Sequence, residues 1–221
     1  QFEDLGSNTV LIAPTQVFGE NGGFNSSDGA FINSKQFDLQ TVRDIQRMRE
    51  FAQYVIPQAE NIAQATYRGE TKRASILATT SEYSVVRNTK AEKGRFFTDE
   101  EDRSGQRVVV LGPKIATELF GQVDPINKEL RINDVSFKVV GVVESKGGGF
   151  GGPSFDDFMY LPLEAYFKVF DTRDINAIAV QVYNQELIPK AISELEDYFL
   201  NEQDRKEDEF DVFDQREILD T

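Results

Sequence analysis

The sequence predicts an α+β fold with mainly antiparallel sheets, in which the two flanks form halves of one split layer and a β-rich middle is inserted between them. Three observations predict it. Strand and helix patterns run β, α, β, β at the start and β, α, β at the end, the middle is dominated by strand-like segments, and hairpins outnumber the long crossovers that parallel sheets need. No repeat of fixed period runs through the 221 residues, which suffice for one large domain or two small ones.

Thr9 to Ala13 reads as an opening strand, stopped at Pro14, which cannot donate to a ladder. Residues 16 to 36 carry Gly19, Gly22, Gly23 and Gly29 among Asn and Ser without helical or strand period, and are read as a long loop. Asp38 is placed to cap a helix to about Glu50, with Val42, Ile45 and Met48 on one face. Glu60 to Tyr67 and Thr71 to Ala78 form a hairpin around Arg68-Gly69-Glu70. Thr98 is a candidate cap before four consecutive acids, Asp99 to Asp102, expected to form a solvated helix start. Arg107 to Leu111 is a strand; Gly112-Pro113 opens a helix with Ile115, Ala116, Leu119 and Phe120 inward, and Gly121 ends it.

Leu130 to Ile132, the turn Asn133-Asp134 and the alternation of Val135, Phe137, Val139, Gly141 and Val143 make a second hairpin. Lys146 to Pro153 is a glycine-rich projecting loop. Phe158 to Leu161 is a strand, Leu163 to Phe170 a helix and Ile175 to Tyr183 a strand. The segment Leu187 to Leu200 is an amphipathic helix, provided Pro189 lies in its first turn. Phe210 and Val212 suggest a last strand.

Composition narrows function by exclusion. With 24 basic and 38 acidic residues the chain carries a net charge of −14, which repels phosphate backbones, so no nucleic acid is expected as partner. It contains neither His nor Cys, which rules out Ser-His-Asp and Cys-His nucleophiles and Cys/His metal sites. No apolar run approaches the roughly 18 residues needed to span a bilayer. The chain starts at Gln1 without a Met or a signal-like segment, as a processed product or excised fragment would.

Each remaining motif has a plain structural account. Gly147 to Gly152 lacks a following Gly-Lys-Ser/Thr, so a flexible tip fits better than a phosphate cradle. The acids at 99 to 102 and at Asp156-Asp157 lack the alternating spacing of calcium loops, and adjacent carboxylates point apart. The chain has 18 Phe residues, and Phe18, Phe24, Phe31 and Phe150 sit in glycine-rich loops. Core or loop anchoring is the ordinary use for them, and a contact surface for an apolar partner or ligand is the sharper one. No spacing marks any Lys, Tyr or Ser as a nucleophile; no catalytic residue, cofactor or metal is expected.

Five strings in order carry a family likeness: G-R-F-F-T-D-E-E (94 to 101), R-V-V-V-L-G-P-K-I-A-T-E-L-F-G (107 to 121), D-P-I-N-K-E-L-R-I-N (124 to 133), F-K-V-V-G-V-V (137 to 143) and F-M-Y-L-P-L (158 to 163). With the opening L-G-S-N-T-V-L-I-A-P (5 to 14), the chain resembles the MacB-like periplasmic core domain of ABC-transporter permeases of the FtsX-like class. Asn127 stands where the family pattern has Gly, and Asn best tolerates the left-handed turn that Gly would supply.

The resemblance implies an extracytoplasmic domain between the first and second transmembrane helices of a permease. A porter-like subdomain would comprise residues 1–84 with 171–221, and an inserted β-rich subdomain residues 85–170. It also implies ATP hydrolysis on a separate nucleotide-binding domain or subunit, homodimeric or heterodimeric assembly, and a periplasmic adaptor among the partners. The domain would then transmit conformational change without catalysis, its chain ends would be neighbours in the flank-derived part, and the loops holding Phe18, Phe24, Phe31, Gly148, Phe150 and Gly151 would face a partner. Two competing functions remain open: a stand-alone periplasmic module for an apolar or peptide ligand, requiring a concave apolar pocket, and a carboxylate hydrolase, requiring two facing acids.

Overall fold

The computed structural model describes residues 8–15, 36–145 and 155–216. Ten strands and six helices follow in order: β1 (Thr9–Ala13), α1 (Leu39–Gln46), β2 (Ala52–Tyr67), β3 (Glu70–Thr79), α2 (Tyr83–Val86), β4 (Ala91–Gly94), α3 (Asp99–Ser104), β5 (Val108–Leu111), α4 (Pro113–Phe120), β6 (Glu129–Ile132), β7 (Val135–Val143), β8 (Phe158–Pro162), α5 (Leu163–Phe170), β9 (Ala177–Val182), α6 (Ile188–Asp197) and β10 (Asp211–Asp214). The chain parts into two compact units, residues 1–57 with 174–221 and residues 58–173.

The flank unit is built as β1-α1-β2 and β9-α6-β10, with strand order β10-β1-β9-β2. Four strands used in the spatial order 4-1-3-2 make the split βαβ arrangement of ferredoxin-like folds. β1 pairs antiparallel with both β10 and β9, in the registers Val10↔Asp214 and Val10↔Val180. Asp38 caps α1 by accepting from Thr41 N at 2.8 Å, and the helix ends at Gln46, short of the expected Glu50. Pro189 falls in the first turn of α6, where its missing N–H costs nothing. The expected continuation of this helix to Leu200 is instead a π turn, Tyr198–Glu202. Arg205, buried against the faces of Phe37 and Phe199, donates to Gln36 O at 2.7 Å.

The middle unit is a ring of strands. Following the pairings, β2-β3-β8-β5-β7-β6 returns to β2, since β6 pairs with both β7 and β2. Closure leaves no open edge within the ring, and β4 is attached outside it, on β7. Two of the pairings, β3–β8 and β5–β7, are parallel; the other ring pairings are antiparallel. Ile76, Leu111, Leu130, Phe137 and Tyr160 give five of the six ring strands a fully buried side chain. The turn Asn133-Asp134 has φ of 44° and 67°, the paired left-handed geometry of a tight hairpin.

Three further expectations need correction. β2 begins at Ala52 rather than near Glu60 and runs through Pro57; its pairing with β3 starts only at Gln58, so the missing N–H falls where the strand changes partner. The helix α2 and the strand β4 were not anticipated: α2 is a single turn, and Ala-Glu-Lys-Gly has no alternation to read. The four acids at 99 to 102 do not all face solvent, because Glu101 and Asp102 are buried. None of the helices among the described residues is long and apolar enough to cross a membrane.

Candidate functional site

The loop residues singled out from sequence, Phe18, Phe24, Phe31, Gly148, Phe150 and Gly151, lie outside the described residues. Within the middle unit, a groove of about 430 Å³ is lined by Gly94, Arg95, Glu101, Gln106, Val108, Ile126, Asn127, Lys138 and Val140. Eight of these nine lie in four of the five strings that carry the family likeness. Those strings, apart by up to some forty residues in the chain, therefore fold onto one place.

The local chemistry explains why. Gly94 takes φ +65°, and Gly141 faces it across the β4–β7 seam; a Cβ on either would come within 3.0 Å of the opposing backbone carbonyl, of Val140 or of Arg95. Only a pair of glycines lets the strands close that tightly. The backbone then carries Arg95 to the groove wall, where its guanidinium binds both oxygens of Glu101 at 2.7 Å. Glu101 also accepts from Thr98 N at 2.9 Å while Thr98 Oγ1 accepts from Glu101 N, a complete capping box for α3. The paired Arg95 holds the Glu101 carboxyl below its ordinary value. Asn127 takes φ +64°, the left-handed turn expected of it.

The floor is apolar: Val108 and Val140 are 5% and 7% exposed, so they are walled on all sides but the groove. The rim is polar and exposed, with Gln106, Asn127 and Lys138. An apolar floor inside a polar rim is the anatomy of a contact site. A second groove of about 370 Å³, in the flank unit, is lined by Met48, Glu194, Asp197, Tyr198, Asn201 and Glu202. No group of three acids among the described residues is arranged to hold a metal ion.

Behind the groove, α3 and α5 clamp each other. α5 starts on Pro162, whose side chain cannot cap it, and Asp102 does so from outside by accepting from Glu164 N at 3.3 Å. Lys168 Nζ donates to Ser104 O at 3.0 Å in return. Burial pushes the Asp102 carboxyl up to about 6 and the half-buried Glu60 up to about 7. Both folded values exceed the unfolded ones of 3.8 and 4.5, so between them the folded chain binds more protons and stability falls as pH rises. Urea midpoints are therefore expected to drop from pH 5 to pH 8 by the equivalent of a few kcal/mol, about a third of it from Asp102. Asp102→Asn, which keeps the acceptor and removes the charge, is expected to flatten that slope; an unchanged slope would show that Asp102 does not titrate there.

Comparison with known proteins completes the picture. The model of the MacB-like periplasmic core domain matches residues 1–198. The chain is 28% identical over 225 aligned positions to the macrolide export ATP-binding/permease protein MacB of Bdellovibrio bacteriovorus, covering 99% of this chain and 33% of that protein. It is 29% identical over 182 positions to the uncharacterised ABC transporter permease YknZ of Bacillus subtilis, covering 82% of this chain and 44% of that one. The chain thus spans about a third to a half of the length of these relatives. The periplasmic region of MacB from Actinobacillus actinomycetemcomitans superposes with a TM-score of 0.77 at 17% identity, over 100% of this chain and 94% of that one. The extracellular domain of YknZ from Gram-positive bacteria gives 0.73 at 21%, over 93% and 100%. The shared fold, the ordered strings and the match over residues 1–198 make this chain a member of the MacB-like periplasmic core domain family, an extracytoplasmic domain of ABC-transporter permeases.

Proposed function

We propose that this domain transmits ATP-driven conformational change to periplasmic partners or cargo and catalyses nothing itself, with hydrolysis on a nucleotide-binding domain or subunit elsewhere in the transporter. The observation that carries the reading is the pairing of the outermost strands. β1 and β10 lie side by side and antiparallel, with Val10 opposite Asp214, so the chain enters and leaves the flank unit at one place. A body held at both ends by membrane helices needs this connectivity. The relatives named as ATP-binding/permease proteins support the same division of labour.

In this reading the flanks, residues 1–84 with 171–221, are the porter-like part, and residues 85–170 the inserted part. Homodimeric or heterodimeric assembly and a periplasmic adaptor belong to the same proposal, with Phe18, Phe24, Phe31, Gly148, Phe150 and Gly151 as contact residues. The isolated domain is expected to hydrolyse no ATP. In the full transporter, deleting residues 147–152 is expected to reduce transport at least about tenfold while ATPase activity in detergent stays within about twofold, as loss of a contact worth roughly 1.4 kcal/mol would do. Unchanged transport and unchanged partner capture would remove that loop from the contact surface. ATP turnover by the purified domain would overturn the reading itself.

A further inference from the structure

We propose that the groove between α3, β4, β5 and β7 binds an extended acidic segment of a partner polypeptide, seating one aliphatic side chain on Val108, Val140 and Ile126 and pairing a neighbouring carboxylate with Lys138. This goes beyond the loop contacts proposed above, uses different residues, and is tested by binding rather than transport, so either can fail alone.

Charge is the first argument. Between Val86 and Ser145, basic and acidic residues balance at ten each, so the net charge of −14 resides elsewhere in the chain. Inside the groove the single acid, Glu101, has both oxygens taken by Arg95. Lys138, on the rim, makes no ion pair among the described residues; Glu129, its cross-strand partner on β6, is the carboxylate nearest it in register. At about 0.15 M salt the Debye length is ~8 Å, so an acidic segment in the groove feels Lys138 and its immediate neighbours more than the acids outside residues 86–145.

Shape and hydrogen bonding supply the second. A floor of three aliphatic residues accepts an aliphatic side chain, and the 430 Å³ volume matches a short stretch of peptide rather than a folded element. The Gln106 and Asn127 amides each offer both a donor and an acceptor beside that floor, the complement of a peptide unit. A nucleic acid would meet the acidic remainder of the chain, and a bare phosphate would leave the valine floor unused.

The test is fluorescence anisotropy at 150 mM salt with the labelled, end-capped peptide Asp-Glu-Val-Glu-Asp and its Asn/Gln analogue. The wild-type domain is expected to bind the acidic peptide at least tenfold tighter than the analogue. Lys138→Glu, at an exposed position, is expected to lose at least tenfold, and Lys138→Gln, which sets no second carboxylate opposite Glu129 on β6, is expected to lose affinity in the same direction. Arg73→Glu on β3, outside the groove, makes the same charge change as Lys138→Glu and is expected to stay within twofold; thermal melts verify that all three variants fold. Equal losses in Lys138→Glu and Arg73→Glu would reduce the effect to general surface charge and overturn the proposal. So would displacement of the peptide by octanoate at equal concentration, which would make a small amphipathic anion the occupant. Sedimentation showing self-association that Lys138→Glu abolishes would assign the groove to a second copy of this chain and equally overturn it.

Discussion

Gly141→Ala is expected to lower the thermal midpoint of the domain by roughly 6–12 °C, the equivalent of about 3 kcal/mol for a chain of this size. The added Cβ meets the carbonyl oxygen of Arg95 closer than 3.0 Å, with its carbonyl carbon at 2.9 Å and its amide nitrogen at 3.2 Å. These are backbone atoms, so no side chain can rotate out of the way, and the β4–β7 seam must open. Opening it withdraws Arg95 from Glu101 and deforms the groove, so the same variant should lose the peptide affinity proposed above. Gly69→Ala is the control. Gly69 also has positive φ, +93°, but a Cβ there meets nothing within 4 Å, and only the backbone cost of about 1 kcal/mol remains. Equal midpoints for the two variants would mean that the seam is not close-packed as described. Differential scanning calorimetry of both variants decides the matter.

Glu101→Ala is expected to cost about 2 kcal/mol, the second largest effect. One buried carboxylate serves four donors: the two guanidinium nitrogens of Arg95 and the backbone N–H and hydroxyl of Thr98. Arg95 is half exposed, so its charge contribution is screened and most of the loss comes from the cap and the bidentate geometry. Glu101→Gln should retain part of the cap and lose about half as much. The sign of the pH dependence is opposite to that of Asp102. The Glu101 carboxyl is held below its ordinary 4.5, chiefly by the Arg95 hydrogen bonds, so its contribution is complete above that pH and lost as pH falls through the folded value. With the raised carboxyls of Asp102 and Glu60, this places the stability maximum near pH 5. Chemical denaturation of Glu101→Ala against the parent at pH 3.5 and pH 7 should show the difference shrinking in acid; a constant difference would exclude the ion pair as its source.

Local signals were legible wherever the physics is local. Asp38 and Thr98 cap the helices that their side-chain oxygens suggested, and Asn133-Asp134 makes the tight turn between β6 and β7. Pro189 sits in a first turn, and Asn127 adopts the left-handed conformation that stands in for glycine. Each depends on a residue and its neighbours within four positions. β4 escaped notice because its four residues carry no alternation and are held in place by β7, some fifty positions away. Asp102 was read as solvated because nothing within its own helix reveals that it caps α5.

The candidate site shows the same division. All of its residues but Gln106 stood in the family strings, but their meeting could not be seen, since Arg95, Val108, Asn127 and Lys138 lie on four separate segments. The amino-acid sequence alone determined the class of fold, the family, and the exclusion of His- and Cys-dependent chemistry. The fold class and the exclusion follow from composition, period and caps, which act over a few residues, and the family from the resemblance of short strings in a fixed order. Tertiary structure alone decided the ring closure through β6, the burial of Glu101 and Asp102, and the groove that sets Lys138 beside an apolar floor. Pairing and burial are set by contacts between distant segments, whose strength depends on what the rest of the chain has already brought alongside.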